Sequence, residues 1–235
     1  MRFKKVLFTI VIIFSLTIFT FLMIASTSNI GLKTSTTPNK KSPDIIIDAG
    51  HGGEDGGAVV GDVLEKTINL SISHDTADLL NFFGFNVSMT RTTDDAMTNE
   101  GESVKKRKYN DMKMRLDMYN SSDNNLIISI HQNKFSSSSS KGTQVFYSPN
   151  NEKSLVLADS IKYSVKSLLQ PENERESKAA DSGIYLLKNT KQPAVIVECG
   201  FISNAEECQL LLQEDYQKQM SFAITTGFID YFNTN

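Results

Sequence analysis

Residues 44–53 read DIIIDAGHGG, an apolar β-branched run that gives way to three glycines around a single histidine. The isoleucines predict a buried strand, and the glycines predict a tight loop directly after it, because glycine lacks the Cβ atom that restricts the backbone. In an open α/β sheet, sites form at the carboxyl ends of the strands. His51 therefore lies where a functional group is expected, although a solvated glycine turn with an incidental histidine explains this loop alone equally well.

Strand-like and helical segments alternate from this stretch to the end of the chain. Short apolar runs predict further strands at residues 85–90, 126–130, 143–147, 184–187 and 194–198. Apolar residues at helical spacing predict helices at residues 64–83, 105–120, 152–169, 205–213 and 215–232. This alternation is typical of a single α/β domain whose parallel or mixed sheet is flanked by helices.

The N-terminus carries a long apolar segment. Residues 6–24 are uncharged and mostly apolar, and a helix of that length rises about 28 Å, close to the thickness of a bilayer core. Because Arg2, Lys4 and Lys5 precede it, we expect the N-terminus to stay in the cytoplasm and the rest of the chain to lie outside. A cleaved signal peptide is the alternative, with the same extracytoplasmic location. The sequence thus predicts an anchor or signal segment at 1–25, a flexible linker at 26–43 and a folded domain at 44–235.

Composition limits the partners and the redox chemistry. The 235 residues include 24 basic and 27 acidic side chains, a net charge of −3. Without a basic excess the chain has no surface suited to phosphate backbones, so we expect no nucleic-acid partner. Cys199 and Cys208 lack metal-ligand spacing and make no disulfide framework, and two unpaired thiols are favoured over one bridge between them.

Four residues near predicted strand ends and helix starts are candidates for chemistry. His51 and His131 follow buried strands, and Glu65 opens the first long helix, where a carboxylate points back toward the strand ends. Two imidazoles and one carboxylate leave one position of a tetrahedral zinc ion open for water, the pattern of catalytic zinc sites. Glu198 ends an apolar strand, where desolvation raises a carboxyl pKa and suits the group to accept a proton near neutral pH.

Structural explanations exist for the same residues. Acidic side chains favour the first turn of any helix because of the helix dipole, which accounts for Glu65 without a metal. Glu198 could be paired with a nearby base for purely structural reasons. The third histidine, His74, lies inside the long helix at a spacing that does not place it with the other two, and we predict an ordinary helix residue.

Four segments, taken in order, resemble the zinc-dependent N-acetylmuramoyl-L-alanine amidase family over roughly residues 44–233. They are IDAGHGG at residues 47–53 with Asp55, Gly57 and Ala58; Glu65 at the head of a helix; Arg115 and Asn120 followed by SIHQN at 129–133; and PAVIVECGFISN at 193–204. Gln132 departs from the alanine common at its place in the family, and we expect its side chain to point away from the metal.

The resemblance implies a central sheet of about six strands and a catalytic domain at residues 44–235. His51, Glu65 and His131 would bind a zinc ion, and Glu198 would be the catalytic base. The substrate would be the bond between the lactyl group of N-acetylmuramic acid and L-alanine in peptidoglycan.

The short chain behind an apolar segment is similar to the sporulation-type amidases of that family, which act on spore cortex and remove stem peptides on the way to muramic-δ-lactam. Because some family members need a partner, an activating partner protein is a further hypothesis. Arg115 and Asn120 are expected to support the His131 strand by packing.

Two other functions stay open at this stage. One is a different zinc hydrolase of wall peptides, such as a carboxypeptidase, which would use the same metal chemistry. The other is a membrane-tethered wall-binding protein that has lost catalysis, although two histidines and two glutamates would then have been kept without a role.

Overall fold

The computed structural model describes residues 42–235, so the predicted anchor and most of the predicted linker lie outside the described residues. The strands are β1 (Asp44–Ala49), β2 (Val59–Val60), β3 (Val63–Leu64), β4 (Asn86–Met89), β5 (Asn125–Asn133), β6 (Gln144–Tyr147), β7 (Lys178–Ala179) and β8 (Ala194–Phe201). The helices are α1 (Glu65–Phe82), α2 (Val104–Tyr119), α3 (Lys153–Leu168), α4 (Tyr185–Asn189), α5 (Ala205–Leu211) and α6 (Glu214–Thr234).

Six of the strands form one mixed sheet in the order β4-β1-β5-β8-β6-β7, which confirms the predicted α/β fold and its strand number. Strands β4, β1, β5 and β8 run parallel to one another. Strand β6 runs antiparallel to β8 and parallel to the short edge strand β7. The four parallel strands therefore present their carboxyl ends at one edge of the sheet, where sites are expected.

Helices cover both faces of the sheet. Ile45 and Ile47 of β1 belong to a core shared with α1, α3 and α6, whereas Ile46 between them belongs to a second core with Tyr119 of α2 and Leu187 of α4. Alternate residues of a strand point to opposite faces, so a strand that is buried on both sides reads as a continuous apolar run. This burial is the reason for the three consecutive isoleucines.

The predicted strand at 184–187 is wrong, because this segment forms the short helix α4. An apolar run of four residues fits a strand and a buried helical turn equally well, so periodicity does not distinguish them. Here Leu186 and Leu187 are both buried against the second core. The amide of Thr190 donates to the carbonyl of Leu186 at 2.9 Å, as expected at a helix end.

Two small features were missed, and two strands are longer than predicted. The edge strand β7 is exposed and has no apolar pattern. Strand β2 of the hairpin lies in the predicted glycine-rich loop, and β3 lies at its end and includes Leu64, which was predicted to be helical. Strand β5 continues through His131 to Asn133, and β8 continues through Glu198 to Phe201. His131 therefore lies inside a strand and does not follow it, and Glu198 lies inside a strand and does not end it.

Two further observations concern the described residues. Cys199 and Cys208 are free thiols, as predicted, and Cys199 is fully buried. Between residues 42 and 235, no helix combines the length and the apolar character that a membrane crossing requires.

Candidate active site

The loop after β1 brings the two histidines together. The amide of Gly50 continues the ladder by donating to the carbonyl of Ile130 at 3.1 Å. His51 then takes a left-handed backbone conformation, with φ of 62°. A Cβ atom at Gly50 would lie 2.3 Å from the His131 ring, so this close approach requires glycine. The rings of His51 and His131 pack edge to face with centroids 4.9 Å apart.

Glu65, the first residue of α1, completes a set of three possible metal ligands. Each of His51, Glu65 and His131 offers one ligand atom, and these atoms all lie within 4.8 Å of one another. His51 Nε2 lies 3.3 Å from Glu65 Oε2, and His131 Nδ1 lies 2.8 Å from Glu65 Oε1. Two imidazoles and one carboxylate are ligands that zinc accepts while keeping a fourth position open. The structure therefore contains a donor set that could hold a metal ion.

Hydrogen-bond donors surround the Glu65 carboxylate. The amides of Ala58 and Gln132 donate to it at 2.7 and 3.1 Å, and the Asn69 side chain donates at 3.1 Å. Burial would raise the pKa of Glu65, but the hydrogen bonds from the two histidines and their charges lower it well below its usual range. Glu65 is therefore ionised at neutral pH and suited to bind a cation.

Asp55 orients the first histidine. Its Oδ2 lies 2.9 Å from His51 Nδ1, and Lys108 Nζ donates to its Oδ1 at 2.7 Å. Burial would lower the pKa of His51, but Asp55 and Glu65 raise it to about 9. A carboxylate on one imidazole nitrogen fixes the ring and leaves the other nitrogen for a metal, an arrangement that recurs around metal-binding histidines. The sequence places Asp55 beside the histidine motif but does not indicate this contact.

Glu198 lies next to this cluster in a different environment. Strand pairing places it beside His131 of β5 on one side and Gln144 of β6 on the other. Its Oε2 atom is buried without a hydrogen-bond partner within the described part of the chain. Burial raises the pKa of Glu198 to about 7, against the lowering effect of His131 and with a further rise from Glu65. Glu198 is therefore poised to exchange a proton near neutral pH.

Within the described residues, Arg115 bonds the His51 loop directly and reaches the His131 strand, which it was expected to support, through Asp48. The guanidinium pairs with buried Asp48 and donates to the carbonyl of His51 at 2.7 Å. Tyr119 and Ser129 each donate to Asp48 Oδ2 at 2.6 Å, so the network joins α2, β1 and β5. Burial would raise the pKa of Asp48, but Arg115 and the two hydroxyl groups hold it well below its usual range.

Three other predicted roles concern residues around the cluster. Asn120 Oδ1 accepts from Thr190 Oγ1 at 3.1 Å, so it anchors the loop before β8 and does not touch the His131 strand. Gln132 directs its side chain to Asn69 Oδ1 at 3.2 Å. His74 lies within α1 and contacts the carbonyl of Thr92 at 3.0 Å, as expected for a helix residue outside the cluster.

The comparisons with known proteins agree with this geometry. The family model described as N-acetylmuramoyl-L-alanine amidase matches residues 45–230. A germination-specific N-acetylmuramoyl-L-alanine amidase of Bacillus subtilis is 33% identical over 193 residues, covering 80% of this chain and 79% of the relative.

Solved structures give the same result. The CwlD amidase from Clostridioides difficile, solved in complex with the GerS lipoprotein, is 36% identical with a TM-score of 0.79, and the match covers 83% of this chain and 100% of that one. An N-acetylmuramoyl-L-alanine amidase from Clostridium difficile 630 is 25% identical with a TM-score of 0.71, over 83% and 98% of the two chains. On the match of the family model and on these similarities, the chain belongs to the N-acetylmuramoyl-L-alanine amidase family.

Proposed function

We propose that this chain is a zinc-dependent enzyme that hydrolyses the amide bond between N-acetylmuramic acid and L-alanine in peptidoglycan. The observation that carries the proposal is the meeting of His51, Glu65 and His131 within 4.8 Å, next to a buried carboxyl group with a raised pKa. Membership of the amidase family gives the bond that is cleaved. It also favours this reaction over the carboxypeptidase alternative.

The donor set fits zinc in its chemistry and its surroundings. A Cβ atom at Gly57 would lie 2.5 Å from Glu65 Oε2, so the loop leaves just enough room for the carboxylate beside the imidazoles. Asp55 holds Nδ1 of His51, so Nε2 faces the Glu65 carboxylate, where a metal ion would lie between them. His51, Glu65 and His131 would hold the zinc ion, which when bound would supply a Lewis acid for the scissile carbonyl and a water molecule of lowered pKa.

Glu198 is the proposed catalytic base. A carboxyl group with a pKa near the working pH can accept the proton of the attacking water and then pass it to the leaving nitrogen of L-alanine. The Oε2 atom of Glu198 has no hydrogen bond within residues 42–235 that it would lose in this transfer. Glu65 cannot take this role, because its many donors keep it ionised.

Metal content and reaction products test the assignment directly. Purified chain is expected to contain zinc and to release stem peptides with an L-alanine amino terminus, leaving a free lactyl carboxyl on the sugar. Release of D-alanine would instead support a carboxypeptidase. The catalytically inactive wall-binding alternative requires that wild type and Glu198→Ala, each loaded with zinc, be equally inactive.

We infer further that the enzyme acts on spore cortex. The support is the 33% identity to a germination-specific amidase and the similarity to the CwlD amidase. A strain that lacks this chain is expected to make spores whose cortex contains no muramic-δ-lactam. Normal lactam content in those spores would restrict the enzyme to the vegetative wall.

The proposed location is outside the cytoplasm, with residues 6–24 as the membrane anchor. We infer an activating partner protein in that location, since the CwlD amidase was solved in complex with a lipoprotein. Cell fractionation is expected to find the full chain in the membrane pellet, and release into the medium would indicate a cleaved signal peptide. Full activity of the purified chain alone would remove the need for a partner.

A further inference from the structure

Arg91 has no role in the catalytic proposal, yet it binds the backbone of the segments that carry two of the ligands. It follows β4 and is only 6% exposed. Its Nε atom donates to the carbonyl of Ala49 at 2.9 Å. Its Nη2 atom donates both to the carbonyl of Gly50 at 3.0 Å and to the carbonyl of Lys66 at 2.7 Å. One nitrogen thus joins the residue before His51 to the residue after Glu65.

The charge of Arg91 has no carboxylate partner within 4 Å among residues 42–235, which is unusual for a buried guanidinium. Arg115, the neighbouring buried arginine, pairs with both Asp48 and Asp111. Arg91 donates only to backbone carbonyls, the fourth being that of Thr93 at 2.9 Å. Burying a charge without a directly paired carboxylate is costly, although more distant acidic residues, among them Asp48 and Asp111, partly offset that cost. The planar guanidinium bonds four backbone carbonyls at once, and this geometry is what arginine adds at the position.

The other contacts around His51, Glu65 and His131 show why a rigid bridging side chain is needed. His51 and His131 are placed by neighbouring strands, because Ala49 pairs with Ile130 in the ladder of β1 and β5. Glu65 belongs to a helix, which is not part of that ladder. Its distance from His51 depends on the loop between them and on the side chains that bridge the loop and the helix. Asn69 of the helix donates to the carbonyl of Gly50 at 3.2 Å, and Arg91 adds a bridge from a third segment, with its donors held in a fixed planar arrangement.

The glycine-rich loop after β1 packs closely against the Arg91 side chain. A Cβ atom at Gly52 would lie 2.9 Å from Arg91 Cδ and 2.7 Å from the carbonyl oxygen of Asp95. Lys66 Nζ donates to the carbonyl of Gly53 and to Asp94 Oδ2, at 2.7 Å each. The residues just after Arg91, the loop after β1 and the first turn of α1 therefore form one packed unit.

We propose that Arg91 is a positioning residue that sets the separation of His51 and Glu65, so that both reach one metal ion. The inference rests on the proposed function, because it assumes that these two residues bind the metal. Arg91 touches neither the metal nor the substrate, and it acts through the carbonyls of Gly50 and Lys66.

The test measures metal binding by the full-length chain. Zinc affinity is determined by competition with a chromophoric chelator, and the visible absorption of the cobalt-substituted protein reports the ligand geometry. Arg91→Met fills a similar volume but cannot bridge the carbonyls. It is expected to weaken zinc affinity by at least about tenfold, the size of effect seen when groups that orient metal ligands are removed. The cobalt bands are expected to lose intensity in the same variant.

Arg91→Lys keeps the positive charge but lacks the planar guanidinium that bonds several carbonyls at once. The variant is expected to fold and to bind zinc more weakly than wild type. The matched control is Asn125→Ala at the other end of β5. That buried amide donates to the carbonyls of Met118 and Tyr119 at 3.2 and 3.1 Å, so its loss destabilises the protein away from the cluster. The control is expected to keep zinc affinity and cobalt spectrum within twofold of wild type.

The outcomes distinguish failure of the positioning role of Arg91 from failure of the proposed function. Zinc affinity and cobalt bands of Arg91→Lys that match wild type would overturn the positioning role, while the metal site itself would stand. A similar loss of zinc affinity in Asn125→Ala would also overturn it, since general loss of stability would then explain the effect. Failure of the wild-type chain to bind zinc would instead remove the proposed function.

Discussion

Two buried glutamates at the same edge of the sheet have opposite proton affinities. Glu65, at the start of α1, is surrounded by donors from the loop, from β5 and from two imidazoles, and its pKa is lowered. Glu198, within β8, has an oxygen without a hydrogen-bond partner in the part of the chain that the structure describes, and burial raises its pKa to about 7. Glu65 is the less exposed of the two, so burial alone would give it the higher pKa, and the neighbouring donors decide which carboxylate binds a cation and which exchanges a proton.

The largest effect is expected at Glu198. Glu198→Gln keeps the volume and removes the proton acceptor, so kcat should fall by roughly 10³-fold, within the range for loss of a general base. Zinc affinity should stay close to that of wild type, which titration against a chelator checks. Glu207→Gln is the control, since Glu207 is also buried but accepts from the amides of Gly142 and Phe201. A variant of Glu198 that retained a tenth of the wild-type kcat would exclude it as the base.

The same substitution at Glu65 should weaken zinc binding. Glu65→Gln removes a ligand charge, and zinc affinity should fall by more than about 100-fold, the upper end for groups that only orient ligands. Equilibrium dialysis with measurement of bound zinc tests this. If Glu65→Gln kept its zinc and Glu198→Gln lost it, the two roles would have to be exchanged.

The pH dependence of the free energy of unfolding should reveal the raised pKa of Glu198 in the metal-free protein. Because the pKa of Glu198 is raised from 4.5 to about 7, its contribution to stability is fully present below pH 4.5 and is lost as the pH rises through about 7. Glu198→Gln should therefore raise the free energy of unfolding relative to wild type by about 3 kcal/mol at pH 8, and by little at pH 4. Denaturant unfolding at the two pH values measures the difference, and an equal effect at both would contradict the raised pKa.

The smallest effect is expected at the orienting carboxylate. Asp55→Asn weakens the contact with His51 Nδ1 and should reduce zinc affinity by about tenfold. Glu54→Gln is the matched control, because the adjacent Glu54 binds Arg107 and does not touch the histidine. Equal zinc affinities in the two variants would mean that the glycine loop alone orients the His51 ring.

The sequence was most informative where the pattern is local. The isoleucine run and the glycines around His51 predicted a buried strand and a tight loop, and the structure has both. The segment at 184–187 failed because four apolar residues do not distinguish a strand from a helical turn. Strand β7 was missed because an exposed two-residue strand leaves no pattern in the sequence.

The sequence by itself determined the α/β fold, most of the elements and the four side chains proposed for the chemistry, because apolar patterns and motif spacing can be read along the chain. Only the tertiary structure decided what each of those side chains can do. The donors that keep Glu65 ionised include Gln132, and the bridge between His51 and Glu65 comes from Arg91 after β4. Proton affinity and ligand spacing depend on groups brought together from distant parts of the chain, and those contacts exist only after folding.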